Sequence, residues 1–248
     1  MPRMPNLACR IRPSREGCRS MQALRSVVRP RLIARTFSSS SAPPTFDIQS
    51  FGSSFERAYE DRDRFYRWDE DELFKPDMSF VKKAMSFALL HHAFPSSGLD
   101  MPDFIDGAQV ALDLVLHTIY TPEFQTYVRD TSVTSPPVEL LKSVMSPECF
   151  DALVADYKRT PVRPNTTVEL QQLDVHSGQF SRLLLDGQQM KLMLSVLYHT
   201  TEHLATTEAG AATTTEARDS YCQWTFATSI ADPDKIEWEL IDMFDDDI

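Results

Sequence analysis

The sequence predicts an α+β domain, with helices laid on one face of an antiparallel sheet. Three observations predict it. Between residues 77 and 157 the apolar side chains recur at three- and four-residue spacing. From residue 167 they alternate instead. Asp186-Gly187 interrupts two alternating runs, the strongest short hairpin signal.

The helices follow in order. "DMSFVKKAMSFALLHHAF" starts at Asp77 and repeats Phe80, Ala84, Phe87 and Leu90 or His91. "DMPDFIDGAQVALDLVLHTIYT" has Asp100 as N-cap, Pro102 in the first turn and Asp103 after it. Phe104, Ala108, Ala111, Leu112, Val115 and Ile119 form its apolar stripe, and Pro122 ends it. A third helix starts at Ser146-Pro147-Glu148, with Phe150, Leu153, Val154 and Tyr157 on one face.

The strands come next. "TVELQQLDVH" slips phase near Gln171-Gln172, which predicts a bulge. "YCQWTFATSI" places Cys222, Trp224, Phe226, Thr228 and Ile230 on one face. "ADPDK" turns the chain, and "IEWELIDMF" returns with Ile236, Trp238 and Leu240 facing one way. Residues 205–220 read as a mobile loop without core residues. Gly107 within its helix predicts close packing against the sheet.

Residues 1–37 read as a mitochondrial transit peptide. The first 40 residues hold nine arginines, no lysine, one acid (Glu16) and many serines. That composition is drawn across the inner membrane toward the negative matrix side. Residues 21–29 can form a short helix with Leu24, Val27 and Val28 apolar and Arg25 and Arg29 on another face; Pro30 ends it. Cleavage is expected after Thr36, with trimming of Phe37 or of an octapeptide ending at Pro44 as further possibilities.

Residues 38–75 read as a linker that contains the aromatic segment "FERAYEDRDRFYRWDEDELF", and residues 76–248 as the domain. Phe55, Tyr59 and Tyr66 can share a helical face, with Phe65, Trp68 and Phe74 beside them. Such a segment either packs on its own domain or docks on a partner, as an amphipathic helix does in a groove.

Charge narrows the partners. The chain carries −11 overall and the first 40 residues carry +8, which leaves −19 on the remaining 208. An acidic body repels phosphate backbones and anionic lipid, so it argues against nucleic acid and against more than peripheral membrane contact. The sequence has no apolar run near the roughly 20 residues that span a bilayer. Cys149 and Cys222 lie far apart and make no disulfide framework.

The helix sequence Phe104-Ile105-Asp106-Gly107-Ala108, and Trp224 and Trp238 around Pro233, resemble the Tim-forty-four-like family over roughly 76–244. Its members include a subunit of the presequence translocase motor, a mitoribosomal large-subunit protein near the exit tunnel and a matrix partner of the inner-membrane AAA protease. The resemblance implies a cone-shaped fold of nuclear-transport-factor-two type, with a curved sheet, an apolar pocket and binding rather than catalysis. It implies a protein partner at the matrix face of the inner membrane, and no cofactor. This chain departs from the family in its acidity and in lacking a long basic segment before the domain. The protease-partner or assembly-factor role fits that charge better than the ribosomal or motor role.

One string looks catalytic. His199, Glu202 and His203 match H-x-x-E-H, a zinc peptidase signature. It needs a helix, where residues four apart sit about 6 Å from each other. On a strand they sit about 13 Å apart and cannot share a metal. The flanking pattern and the Asp186-Gly187 hairpin favour the strand. His91-His92 read as structural residues near a helix end. In a pocket enzyme, His117 and His176 would be the candidate residues. Glycine spacing excludes dinucleotide and phosphate-loop motifs, and neither C-x-x-C nor G-x-S-x-G occurs.

Overall fold

The computed structural model describes residues 9–10, 48–94, 99–159, 166–187, 189–208, 212–231 and 236–243. Their architecture is α+β. Seven helices precede the main strands of an open antiparallel sheet: α1 Ile48–Glu60, α2 Arg62–Glu70, α3 Phe80–Ala93, α4 Met101–Ile119, α5 Pro122–Arg129, α6 Pro136–Val144 and α7 Pro147–Arg159. Three long strands, β2 Thr166–Asp186, β3 Lys191–Glu208 and β4 Thr214–Ser229, form a meander. The short β5, Glu239–Asp242, pairs with β4, as does the two-residue β1, Cys9–Arg10. The rest of the expected leader, like the turn at Pro233, lies outside the described residues.

The strands form where the alternation predicts them. Cys222, Trp224, Phe226 and Thr228 are buried, and Leu192, Leu194, Val196 and Tyr198 of β3 lie beside them. Leu240 is buried, while Ile236 and Trp238 pack at the core's edge. The expected bulge is present between Leu170 and Gln172, and two more register shifts follow in β2. Each bulge bends and twists its strand. The β2–β3 connection is longer than a two-residue hairpin. Asp186 pairs with Lys191, and its Oδ1 accepts the Gln189 N–H at 3.1 Å.

The segment 205–220 is strand over most of its length, contrary to the loop expected there. β3 continues to Glu208 and β4 starts at Thr214. Ser220 is fully buried, and its hydroxyl bonds that of Thr200 at 2.9 Å. Threonine and alanine alternate too weakly in hydrophobicity to read as strand, yet β-branched threonine suits the pleat once β3 supplies the partner.

The helices differ in detail. α3 begins at Phe80 behind the N-cap Ser79, and Phe80 is 60 % exposed, so its buried stripe starts at Phe87. Asp100 occupies the N-cap of α4, but its carboxylate accepts the Trp68 Nε1–H at 3.3 Å. Pro122 both follows α4 and opens α5, because proline at the first helical position lacks only an N–H that would be orphaned.

Packing continues across residue 75. Phe65, Trp68 and Phe74 are buried in the same cluster as Phe180 of β2 and the α4 stripe. Lys75 N–H donates to Phe180 C=O at 2.8 Å, and Phe180 N–H donates to Leu73 C=O at 2.7 Å. The free edge of β2 is thereby partly covered.

Gly107 does not pack against the sheet. It is exposed, and a Cβ there would meet nothing within 4 Å. The close approach belongs to Gly178 on β2, where a Cβ would lie 3.0 Å from Tyr198 Cε1 and 3.3 Å from Ile105 Cγ2. Gly178→Ala is therefore expected to lose about 1–3 kcal/mol through overpacking. Gly107→Ala should gain up to about 1 kcal/mol from helix propensity. Denaturant melts of the two variants check this contrast.

Candidate functional site

The feature most suited to binding is an aromatic groove on α1–α3. In α1, Ser54 and Ala58 turn inward against α3, so Phe55 and Tyr59, one position round, turn outward. α1 ends before Asp61 and α2 carries Tyr66. The one helical face expected for Phe55, Tyr59 and Tyr66 is thus split over two helices, but all three line one groove of about 210 Å³. Its floor is Phe65, whose ring meets Phe80 at 5.7 Å and Phe87 at 5.5 Å. Tyr59, Tyr66 and Phe80 are 69, 51 and 60 % exposed. Val81 and Met85, also on α3, are exposed as well. Large exposed apolar patches mark binding sites far more often than isolated exposed side chains do.

Polar contacts hold this surface to its base. Arg57 Nη2 donates to the Ser54 hydroxyl at 3.0 Å and to the His91 carbonyl at 3.2 Å. His91 is buried, lies 3.4 Å from Asp61 and packs edge-on against Phe87. Burial and then the Arg64 charge hold its pKa below the ordinary histidine value. His91 and His92 are thus structural: His92 Nδ1 lies 3.2 Å from the Ser54 hydroxyl. Arg62 stacks over Tyr59 at 4.9 Å from its centroid. Glu56, Glu60 and Asp63 are exposed on the same two helices.

A second cluster lies inside. Glu202 of β3 is fully buried. It accepts the Tyr120 hydroxyl at 2.6 Å and faces the Arg218 guanidinium at 3.2 Å. Burial, followed by the Glu202 charge, pushes the Tyr120 phenol well up. Tyr157 is pushed up for the same two reasons, but its hydroxyl has no hydrogen-bond partner among the described residues. The pairing satisfies the buried carboxylate and fixes α4 and β4 against β3.

The histidines expected near chemistry lie elsewhere. His199, Glu202 and His203 are on a strand, with Glu202 inward and both histidines on the outer face. His203 Nε2 pairs with Asp174 at 2.9 Å. His117 sits on the solvent side of α4 beside Asp113, and His176 is exposed on β2. Neither enters the interior, so a pocket built on them fails: His117 falls off the apolar stripe, and His176 occupies a bulge. Burial, then the Asp242 and Glu239 charges, push the Cys149 thiol up to about 12, which makes it a poor nucleophile.

The Glu202 cluster escaped the sequence reading because its three members are scattered at 120, 202 and 218. A charged residue at an inward position of an alternating strand was the available signal. No protein-family model matches the sequence, and no curated protein matches it either. No helix among the described residues is long and apolar enough to cross a membrane.

Tyr120→Phe leaves the buried Glu202 short of a donor and is expected to cost about 1.5–3 kcal/mol. Tyr157→Phe removes a hydroxyl without a described partner and should be neutral or stabilising. Thermal and urea melts of both variants distinguish them.

Proposed function

We propose that this chain is a non-catalytic protein of the mitochondrial matrix that works by protein contact at the inner membrane. Its role is that of an adaptor or assembly factor for an AAA protease or a related complex. The observation that carries the reading is the exposed aromatic groove of Phe55, Tyr59, Tyr66 and Phe80. The arginine-rich, acid-poor leader supports the compartment.

The occupant the groove fits is an amphipathic helix of the partner, apolar on one face and basic beside it. Apolar anchors would enter over Phe65, and basic flanks would meet Glu56, Glu60 and Asp63. The charge of −19 beyond residue 40 favours such a partner and disfavours RNA. The helices-then-sheet order and the bulged β2 support the cone-shaped, Tim-forty-four-like form of the α+β fold.

A ligand-binding reading has one observation behind it. An apolar cavity of about 360 Å³ lies between α4, Val144, Phe226 and Trp238, with Asp103 at its wall. A small apolar ligand would suit it.

Affinity purification of the tagged protein from crosslinked mitochondria tests the main reading. Tyr59 and Tyr66 are exposed, so Tyr59→Ala with Tyr66→Ala should leave folding intact. The expected result is enrichment of inner-membrane protease or assembly-complex subunits, reduced at least about tenfold in the double variant. Enrichment of ribosomal large-subunit or translocase subunits, or recovery indifferent to the double variant, contradicts it.

A further inference from the structure

We propose that the outer face of the sheet carries a binding site for a transition-metal dication of the zinc class, made by His176, His199 and Asp219. One ligand atom from each of the three lies within 4.8 Å of the other two. They come from three adjacent strands, β2, β3 and β4. Ligand atoms around tetrahedral zinc, at bonds of about 2.0–2.2 Å, are about 3.3–3.6 Å apart. Closing that gap takes rotation of the exposed His176 and Asp219 side chains toward the half-buried His199.

Strand register produces the cluster. His199 pairs with Tyr221, and Thr201 pairs with Asp219, so His199 and Asp219 share the outer face. On the other side Val175 pairs with Thr200 and Ser177 with His199. His176 is the extra residue between them, and the bulge puts it beside the other two.

Neighbouring side chains orient the ligands. The His199 ring stacks on Tyr221, 4.3 Å away and 5° from parallel. The His176 ring lies 4.7 Å from that of His199. The Thr201 hydroxyl joins the remaining pair: it lies 2.7 Å from His176 Nε2 and donates to Asp219. Such supporting contacts orient metal ligands and raise affinity. Asp174, fixed by Gln172 and His203, adds a second carboxylate to the field around the site.

Two imidazoles with one carboxylate select zinc, nickel, copper or iron(II) over magnesium or calcium, which take oxygen ligands. Three protein ligands leave the fourth position to water or to a group from outside. A bound ion would tie the three long strands together on the face away from the core. The site shares only His199 with the H-x-x-E-H string, since Glu202 points to the opposite side of β3.

Calorimetric titration of the chelator-treated full chain with zinc sulfate tests the proposal. The expected result is one saturable zinc per chain, weakened more than about tenfold in His176→Ala and in His199→Ala. Asp219→Asn should weaken it as well, and His117→Ala should leave it unchanged. Saturating zinc should raise the melting temperature of the parent but not of His199→Ala. Circular dichroism confirms that each variant is folded, and Asp219→Asn, the mildest change, serves if an alanine variant is not. Absence of saturable binding overturns the proposal, as does equal affinity in the folded His176, His199 and Asp219 variants.

Discussion

α2 and α3 join the sheet through a clamp of four rings, and the exposed surface depends on that clamp. Trp68 meets Phe87 at 5.1 Å and Phe74 at 6.5 Å, and Phe74 meets Phe180 of β2 at 5.8 Å. Each such ring, when buried, contributes about 1.5–3 kcal/mol. The backbone exchange of Phe180 with Leu73 and Lys75 fixes the register of the same contact. With α2 anchored this way, Phe65 becomes a floor and Tyr66 is left facing outward. The aromatic segment therefore has two distinct faces. One face packs on its own domain while the other stays available.

β3 is the second organising element, because its two faces serve different chemistry. Inward it presents Leu194, Val196, Tyr198 and then Glu202, whose charge is met by Tyr120 and Arg218. Outward it presents His199, Thr201 and His203, among partners from β2 and β4. A strand with period two separates these sets completely. The same separation undoes the peptidase signature, since Glu202 cannot reach a metal held by the histidines.

Much of the fold is legible in the sequence. The stripes of α4 and α7, the alternation of β4 and the bulge at 170–172 are strong periodic signals, and each forms as read. Short proline-led helices such as α5 and α6 give too few turns to establish a period. The strand ends within 205–220 hide because threonine and alanine carry little hydrophobic contrast. Gly107 reads as a packing glycine in its helix, but the tight contact is at Gly178, set by a helix and a strand remote in sequence. The aromatic groove was legible in Phe55, Tyr59 and Tyr66. Its Phe80 wall was not, because an exposed phenylalanine at a helix start reads as core.

Hydrogen exchange followed by mass spectrometry on the full chain tests the clamp most directly. If Trp68 and Phe74 anchor α2 to β2, amides of α2 and α3 exchange as slowly as those of β3, through opening of the whole domain. Exchange of residues 62–74 at the rate of an unstructured chain, while β3 stays protected, would show that these rings do not anchor α2.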